Sequence, residues 1–260
     1  MTRRRYNYHP PHPRHPLILA TAGQPALRVG ELPASVDLRP WFQEPRNQGQ
    51  EGCCSGFASS ALREGLTAVA AGTQPDPLRP PSYLSPQFLY NLTRIRDGTF
   101  PLDTGASCAG ELLTLQVNGV CPELDFPYFG RAADTIPVAA YADAPANRIA
   151  LPQRLDTRAP LWIKQALAGN QPVIFGMPVT ESFEETGMDG QVPAPGGQVL
   201  GGHALLAVGY DDDEGHFIVR NSWSAAWGVA GYCFLPYYFV TTFFEAWTAA
   251  LPQPQPKTSP

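Results

Sequence analysis

A polar, glycine-broken loop that ends on a cysteine and runs directly into a helical pattern constrains this chain more than any other stretch. The loop spans residues 47–53, and small and apolar side chains then recur at spacings of three and four, at Ala58, Ala61 and Leu62. The pattern predicts a buried helix whose first turn holds Cys54. Unpaired backbone N–H groups and the helix dipole favour an anion there, so the Cys54 thiol is biased toward the nucleophilic thiolate.

These residues leave two interpretations of Cys54 open. A free cysteine is usually a buried side chain that packs like a small hydrophobe. The alternative is a catalytic nucleophile, and Gln48, six residues upstream, favours it because an amide donor beside a thiolate can stabilise a developing oxyanion.

A histidine and an asparagine in the second half of the chain bear on this choice. His203 follows two glycines and opens an apolar run, so we expect its imidazole at the end of a strand. A single histidine of this kind is often structural. Asn221 ends the next apolar run, where its amide can orient the imidazole, and the indole of Trp223 can exclude water from that hydrogen bond.

Composition narrows the class of protein. The chain has 260 residues, of which 43% are hydrophobic and 16% charged, which is typical of a folded protein with one large domain or two lobes. The 29 prolines and 24 glycines predict many loops. The formal charge of 18 minus 23, or −5, provides no basic surface, so we expect no nucleic-acid partner and no membrane partner.

The cysteines and the N-terminus bear on the compartment. Five cysteines cannot all pair, and Cys53 and Cys54 are adjacent, so we expect mostly reduced thiols. The apolar run at residues 17–20 is shorter than a signal-peptide core and follows several prolines. We therefore predict a cytoplasmic protein, or one exported without a recognisable signal peptide.

The order of local patterns predicts an α+β fold. Residues 1–32, rich in Pro, Arg and His, are expected to form an N-terminal arm or short prosegment, and residues 251–260 a disordered tail. The folded domain is expected at 33–250, with a helical lobe to about residue 135 and a β-rich lobe from about 136. A cleft between two lobes is a usual place for a site.

Several segments predict individual elements of these lobes. We expect helices from Cys54, from Pro86 after a Ser85 cap, and over 109–117 and 159–168, and strands over 172–176, 203–210 and 216–220.

Four motifs in order resemble a known family. Gln48-Gly49 with Cys54, Gly202-His203-Ala204, and Asn221-Ser222-Trp223 followed by Trp227-Gly228 are similar to the motifs of the papain-like cysteine proteases. The separation of 203 minus 54, or 149 residues, lies within the roughly 130–150 of papain-type enzymes. The resemblance covers about residues 33–248 and is greatest to the bacterial branch that includes xylellain.

The resemblance implies a papain-like two-lobed fold, with the cysteine on the helical lobe, histidine and asparagine on a β-barrel-like lobe, and the active-site cleft between them. It implies a cysteine endopeptidase that acts through a thioester and needs no cofactor and no metal. Cys54 would be the nucleophile, His203 its acid and base, and Asn221 the residue that orients His203. Gln48 would contribute to the oxyanion hole and Trp223 would shield the histidine.

The resemblance also implies substrate-binding positions. The substrate backbone would run along Gly105 and Ala106, the second of which replaces a glycine of the family. Gly176 and Ala204 would border the pocket for the second residue upstream of the scissile bond, and their small size predicts room for an apolar side chain. Loop insertions that close this pocket differently are the alternative.

Departures from the family pattern raise further expectations. Cys53 stands where the family usually has a serine. If the helix began one residue earlier, Cys53 could be the nucleophile in place of Cys54, but its spacing from Gln48 disfavours this alternative. Where secreted relatives have a disulfide, this chain has Glu51 and Asp103, which agrees with a reducing compartment.

The N-terminal segment is a candidate inhibitor. Only about 32 residues precede the domain, too few for a folded helical prosegment, and in the xylellain-like branch a short segment crosses the cleft. We hypothesise a zymogen in which residues 6–10 lie along the substrate groove and limit activity. A disordered tail is the alternative. A peptide or protein substrate is the expected partner, and the protein is expected to be monomeric.

Two rival functions remain open at this level. One is a papain-like scaffold that binds without cutting, since fold does not determine function. The other is a different thiol acyl-transferase, such as a transglutaminase or an amidase, which usually has a carboxylate or second histidine in place of Asn221.

Overall fold

Three helices pack on one side of a groove and an antiparallel sheet on the other in the computed structural model, which describes residues 4–17 and 31–253. The helical side contains α1 (Cys54–Ala71), α2 (Pro86–Arg96) and α3 (Cys108–Val117). Shorter helices are α4 (Ala140–Asp143), α5 (Leu161–Ala168) and α6 (Glu181–Glu184), and 3-10 turns span Arg39–Trp41, Ala144–Asn147 and Tyr237–Thr242.

The sequence explains where the three main helices begin and end. Helix α1 starts at Cys54, as predicted. Gly72 follows its last residue and terminates it, with a φ of 61°, the left-handed conformation that a glycine adopts without strain. The Ser85 side chain accepts a hydrogen bond from the N–H of Phe88 at 3.0 Å, which confirms the predicted cap of α2. Helix α3 begins one residue before the predicted position because Ser107 caps it.

Most strands of the sheet come from the second half of the chain. Its strands, among the described residues, are β1 (Ser35–Asp37), β2 (Gln153–Arg154), β3 (Val173–Thr180), β4 (Val199–Asp211), β5 (His216–Arg220), β6 (Tyr232–Pro236) and β7 (Glu245–Thr248). Their order is β2-β7-β3-β4-β5-β6, and β1 pairs with β4. The apolar runs predicted as strands form β3, β4 and β5, so the predicted α+β class is confirmed.

The two sides of the groove exchange segments. Residues 35–37 of β1 pair with residues 209–211 of β4, so a segment at the start of the folded domain belongs to the sheet. Conversely, Tyr141 of α4 packs edge-on against Phe88 of α2, with ring centroids 5.4 Å apart. Residues 1–3 and 18–30 of the predicted arm and residues 254–260 of the predicted tail lie outside the described residues.

The core places the start of α1 at the middle of the groove. Helix α1 packs against β4 and β3, and Leu62 near its centre is fully buried. Burial of one leucine side chain stabilises a fold by about 2 kcal/mol, so this contact holds the helix firmly on the sheet. No helix in the described ranges is both long and apolar enough to cross a membrane.

Candidate active site

Cys54 faces the sheet across the groove. Its Sγ accepts a hydrogen bond from the backbone N–H of Ala204 at 3.4 Å, and Ala204 directly follows His203. Burial raises the pKa of the Cys54 thiol to about 12, although the N–H groups of Ala204 and Ser55 favour the thiolate. The thiol is therefore protonated at neutral pH while the groove is covered.

His203 is held by one ring nitrogen only. Its Nε2 lies 2.8 Å from Oδ1 of Asn221, and that oxygen also accepts the N–H of Ser222 at 2.8 Å. Because Oδ1 accepts, Nε2 carries the hydrogen, and the Nδ1 atom has no partner within residues 4–17 and 31–253. Burial lowers the pKa of His203 to about 4, against the opposing effect of Asn221, so the imidazole is neutral.

An aromatic cluster covers the hydrogen bond between His203 and Asn221. The Trp223 ring stacks on the imidazole with centroids 5.0 Å apart and planes 25° apart. Phe183 packs edge-on against Trp223 at 5.7 Å. The cluster removes water from the contact, and a hydrogen bond in a low-dielectric environment is stronger. The structure thus places the Trp223 indole over the imidazole of His203.

Gln48 is oriented by three hydrogen bonds. Its Oε1 accepts from Ser222 Oγ at 2.5 Å, its Nε2 donates to the Glu51 carbonyl at 3.0 Å, and its backbone N–H donates to the Ser222 carbonyl at 2.9 Å. An amide Nε2 carries two hydrogens, so one remains for a ligand. Ser222, which the sequence did not single out, fixes this amide.

Residues 4–8 lie across the groove. The Tyr8 N–H donates to the Gly202 carbonyl at 3.2 Å, next to His203. Tyr6 packs edge-on against the imidazole, with centroids 6.1 Å apart, and its hydroxyl donates to Glu184. The Arg4 guanidinium lies 4.0 Å from the centre of the Trp223 ring. The arm therefore covers the histidine from the side that a substrate would approach.

Gly105 and Ala106 differ in their relation to the arm. Gly105 has φ +80°, and a Cβ built on it would lie 1.8 Å from the Asn7 carbonyl oxygen, so only glycine fits this approach. Ala106 is fully buried in a cluster with Cys53 and Tyr90. The structure brings Gly105 to the arm, whereas the methyl group of Ala106 belongs to the core.

Gly176 and Ala204 border a pocket that Tyr8 fills. The two residues pair across β3 and β4, and a Cβ on Gly176 would lie 2.1 Å from Cζ of Tyr8. The Tyr8 hydroxyl donates to Oε1 of Glu245 at 2.5 Å. The expected apolar interior is therefore incomplete, because a buried carboxylate forms the floor. Glu245 lies in an aromatic stretch without a motif, so no local signal identified it.

Asp103 ties the arm to the loop before Cys54. Its carboxylate accepts the Gly52 N–H at 3.0 Å and the Tyr90 hydroxyl at 2.5 Å, and Arg5 donates to it at 2.9 Å. A hydrogen bond thus joins the loop before Cys54 to the loop that contains Asp103. By the resemblance, secreted relatives have a disulfide between these two loops. All five cysteines are free and buried.

The order cysteine, histidine and asparagine across such a groove is that of the papain-type thiol hydrolases. A family model described as "Papain family cysteine protease" matches residues 32–237. The chain belongs to the papain family of cysteine proteases, so the resemblance seen in the sequence is confirmed.

Similar proteins come from viruses, plants, animals and bacteria. An uncharacterized peptidase C1-like protein of Acanthamoeba polyphaga mimivirus is 32% identical over 59% of this chain and 53% of its own length. Bovine pro-cathepsin H (Bos taurus) is 29% identical over 78% of this chain and 60% of its own length. This chain thus spans little more than half of the curated relatives it matches.

A solved bacterial structure matches the whole fold. Xylellain, a cysteine protease from Xylella fastidiosa, superimposes with a TM-score of 0.81 and 26% identity over 97% of this chain and 99% of that chain. The predicted similarity to the xylellain branch and the predicted papain-like two-lobed fold are confirmed.

Proposed function

We propose that this protein is a cysteine endopeptidase in which Cys54 attacks peptide carbonyls. The observation that carries the proposal is the imidazole of His203, held by Asn221 at Nε2 with Nδ1 unpartnered in the described chain. The N–H of the next residue, Ala204, donates to Sγ of Cys54 at 3.4 Å, and this contact supports a shared site for the thiol and the imidazole.

The residues support acyl transfer in balanced steps. His203 Nδ1 takes the thiol proton, and the thiolate forms a C–S bond with the peptide carbonyl carbon. The Cys54 N–H and Nε2 of Gln48 stabilise the resulting oxyanion. The imidazolium then protonates the leaving amine as the C–N bond breaks. Water, deprotonated by His203, hydrolyses the thioester and returns the thiol. Asn221 keeps the ring oriented throughout.

The arm supports a zymogen-like restraint by residues 4–8. Tyr6 lies on His203, Asn7 lies on Gly105 and Tyr8 fills the pocket at Gly176. A peptide substrate needs the same surfaces. The chain's own N-terminal segment is therefore its first binding partner, and its displacement would expose Cys54.

Two proposals are tested together: catalysis by Cys54 and inhibition by residues 4–8. The measurement is the intact mass of the protein after incubation with the thiol-directed epoxide E-64. We expect a Cys54-dependent adduct and peptide hydrolysis with a chain lacking residues 1–30 and with the full-length double variant Tyr6→Ala/Tyr8→Ala, and much slower labelling of the unmodified chain. The matched control is Cys54→Ala in each background. Absence of adduct and hydrolysis from both opened forms would favour the non-catalytic scaffold.

We infer that the protein works in a reducing compartment. The five free cysteines and the hydrogen bonds of Asp103 in place of a disulfide support this. Thiol titration of denatured protein, isolated without reductant from its native cells, should give five free thiols, whereas a lower number would contradict the inference.

A further inference from the structure

The pocket that Tyr8 occupies is a flat slot. One wall is the backbone of Gly176, where any Cβ would collide with the Tyr8 ring at 2.1 Å. On another side the Phe244 ring lies nearly parallel to the Tyr8 ring, at 10° and with centroids 5.9 Å apart. A slot of this kind accommodates a planar ring, as Tyr8 shows.

The floor of the slot is a carboxylate surrounded by donors. Glu245 is fully buried. Its Oε1 accepts the N–H of Cys108 at 2.8 Å, and its Oε2 accepts the indole N–H of Trp247 at 2.5 Å. The N–H of Ala109 lies 3.4 Å from Oε1. Two of these donors are at the N-terminus of α3, where the helix dipole favours a negative charge.

The Tyr8 hydroxyl completes this set of donors. It reaches Oε1 at 2.5 Å from inside the slot. A phenol supplies one hydrogen, which Oε1 of Glu245 accepts, and the Cys108 thiol also lies against the hydroxyl. An arginine would bring five N–H donors, and the neighbouring N–H groups of Cys108 and Trp247 offer no acceptors for the others.

We propose that Glu245 makes this pocket select tyrosine, through its phenolic hydroxyl, as the second residue upstream of the scissile bond. The inference rests on the proposed protease function and names a substrate class for it. Tyr8 is then an internal copy of the preferred side chain. A phenylalanine fills the same slot but leaves the carboxylate without its fourth donor. A buried acceptor left without a hydrogen bond predicts about tenfold weaker selection.

The test uses the full-length Tyr8→Ala variant, whose slot is open to substrate. Three peptides differ only at the second residue upstream of the cleaved bond, which is Tyr, Phe or Arg, and kcat/KM is measured for each. We expect Tyr to exceed Phe and Arg by at least about tenfold. Adding Glu245→Gln should reduce the preference for Tyr over Phe to a few-fold or less. Equal kcat/KM for Tyr and Phe, or a preference for Arg, would overturn the proposal.

E-64 labelling separates this proposal from the protease proposal. Labelling of Cys54 with equal cleavage of Tyr and Phe peptides would overturn the selectivity alone. Absence of both labelling and cleavage would overturn the protease function and the selectivity with it. If Glu245→Gln does not fold, the full-length variant Tyr8→Phe provides a second test. It should label about tenfold faster than the unmodified chain, and an unchanged rate would contradict a role for the hydroxyl.

Discussion

At the scale of single residues, the covered site holds Cys54 and His203 in their uncharged forms. Burial raises the pKa of the thiol to about 12 and lowers that of the imidazole to about 4, so neither group carries charge at neutral pH. Tyr6 contributes to this burial, since its ring lies against the imidazole. Opening the groove to water should therefore change the reactivity of the thiol.

The first prediction concerns the pH dependence of Cys54 alkylation. In the full chain, the rate with iodoacetamide should rise about tenfold per pH unit between pH 6 and 9, because the thiolate is a small fraction far below its pKa. In Tyr6→Ala/Tyr8→Ala, solvation and the imidazolium stabilise the thiolate, and the rate should level off near neutral pH. Mass spectrometry measures both rates, with Cys54→Ala as the control. A plateau in the unmodified chain would contradict the prediction.

The second prediction concerns Glu111, a buried carboxyl that accepts hydrogen bonds from Ser55 at 3.2 Å and Thr93 at 3.0 Å. Burial raises its pKa to about 8, while Arg96 acts in the opposite direction and Asp97 in the same one. The folded protein thus holds a proton that the unfolded chain releases near pH 4.5. Stability is full below that pH and falls by about 1.4 kcal/mol per unit as the pH rises to 8.

Thermal unfolding between pH 5 and 8 checks this sign. The melting temperature should fall with rising pH, and Glu111→Gln should flatten the slope, while the exposed control Glu185→Gln should not. Burial also raises the pKa of Glu51, to about 7. Glu51 therefore keeps part of the decrease in melting temperature with pH in the Glu111→Gln variant. A melting temperature that rises with pH equally in all three proteins would exclude the assignment.

At the scale of elements, local chemistry determined what the sequence could predict. Helix α2 was recognised because Ser85 and Pro86 form a start signal within two residues, and α1 because its apolar spacing is regular. Strands β1 and β7 were missed because three- and four-residue strands carry too few positions for a period to show.

The residues of the candidate site also differ in whether the sequence could predict them. Cys54, His203, Asn221 and Gln48 belong to local motifs that the chain displays in order. Glu245 acquires its place only through the fold, because its partner Cys108 is 137 residues away in sequence. A pocket floor assembled from β7 and the start of α3 has no local sequence pattern that could predict it.

The third prediction concerns the cap of α3. The Ser107 hydroxyl accepts the Gly110 N–H at 3.0 Å, and this cap fixes the turn that presents Gly105 to the arm and the Cys108 N–H to Glu245. Ser107→Ala should lower the free energy of unfolding by about 1 kcal/mol. Urea denaturation measures the loss, and the exposed Ser82→Ala is the control. Equal stability of the two variants would show that the cap contributes little.

At the scale of the whole molecule, the arm contacts both sides of the groove. Asn7 donates from its side chain to the Asp103 carbonyl on the helical side at 2.8 Å, and Tyr8 reaches Gly202 and Glu245 on the sheet. The arm therefore bridges the two lobes, as the groove-crossing hypothesis requires.

The fourth prediction ranks the contacts that hold the arm. Arg5 pairs with Asp103, but its side chain is 58% exposed, and exposed ion pairs contribute at most about 1 kcal/mol. Tyr8 is 5% exposed and buries a whole ring. Tyr8→Ala should therefore accelerate E-64 labelling of the full chain by far more than Arg5→Ala, which should change it less than about fivefold. The rates of E-64 labelling of the two variants are compared at constant ionic strength. Faster labelling of Arg5→Ala than of Tyr8→Ala would mean that the ion pair holds the arm more strongly than the buried ring does.

The arm is part of the same chain as the folded domain, and this determines how inhibition by the arm depends on protein concentration. An inhibitor on the same chain acts at a local concentration set by its covalent connection, on the order of millimolar, whatever the protein concentration. Diluting the intact chain would not free Cys54. One cut anywhere between residues 17 and 31 would make the arm a separate peptide, which would then leave by dilution. A single broken bond would thus make a permanent restraint a transient one.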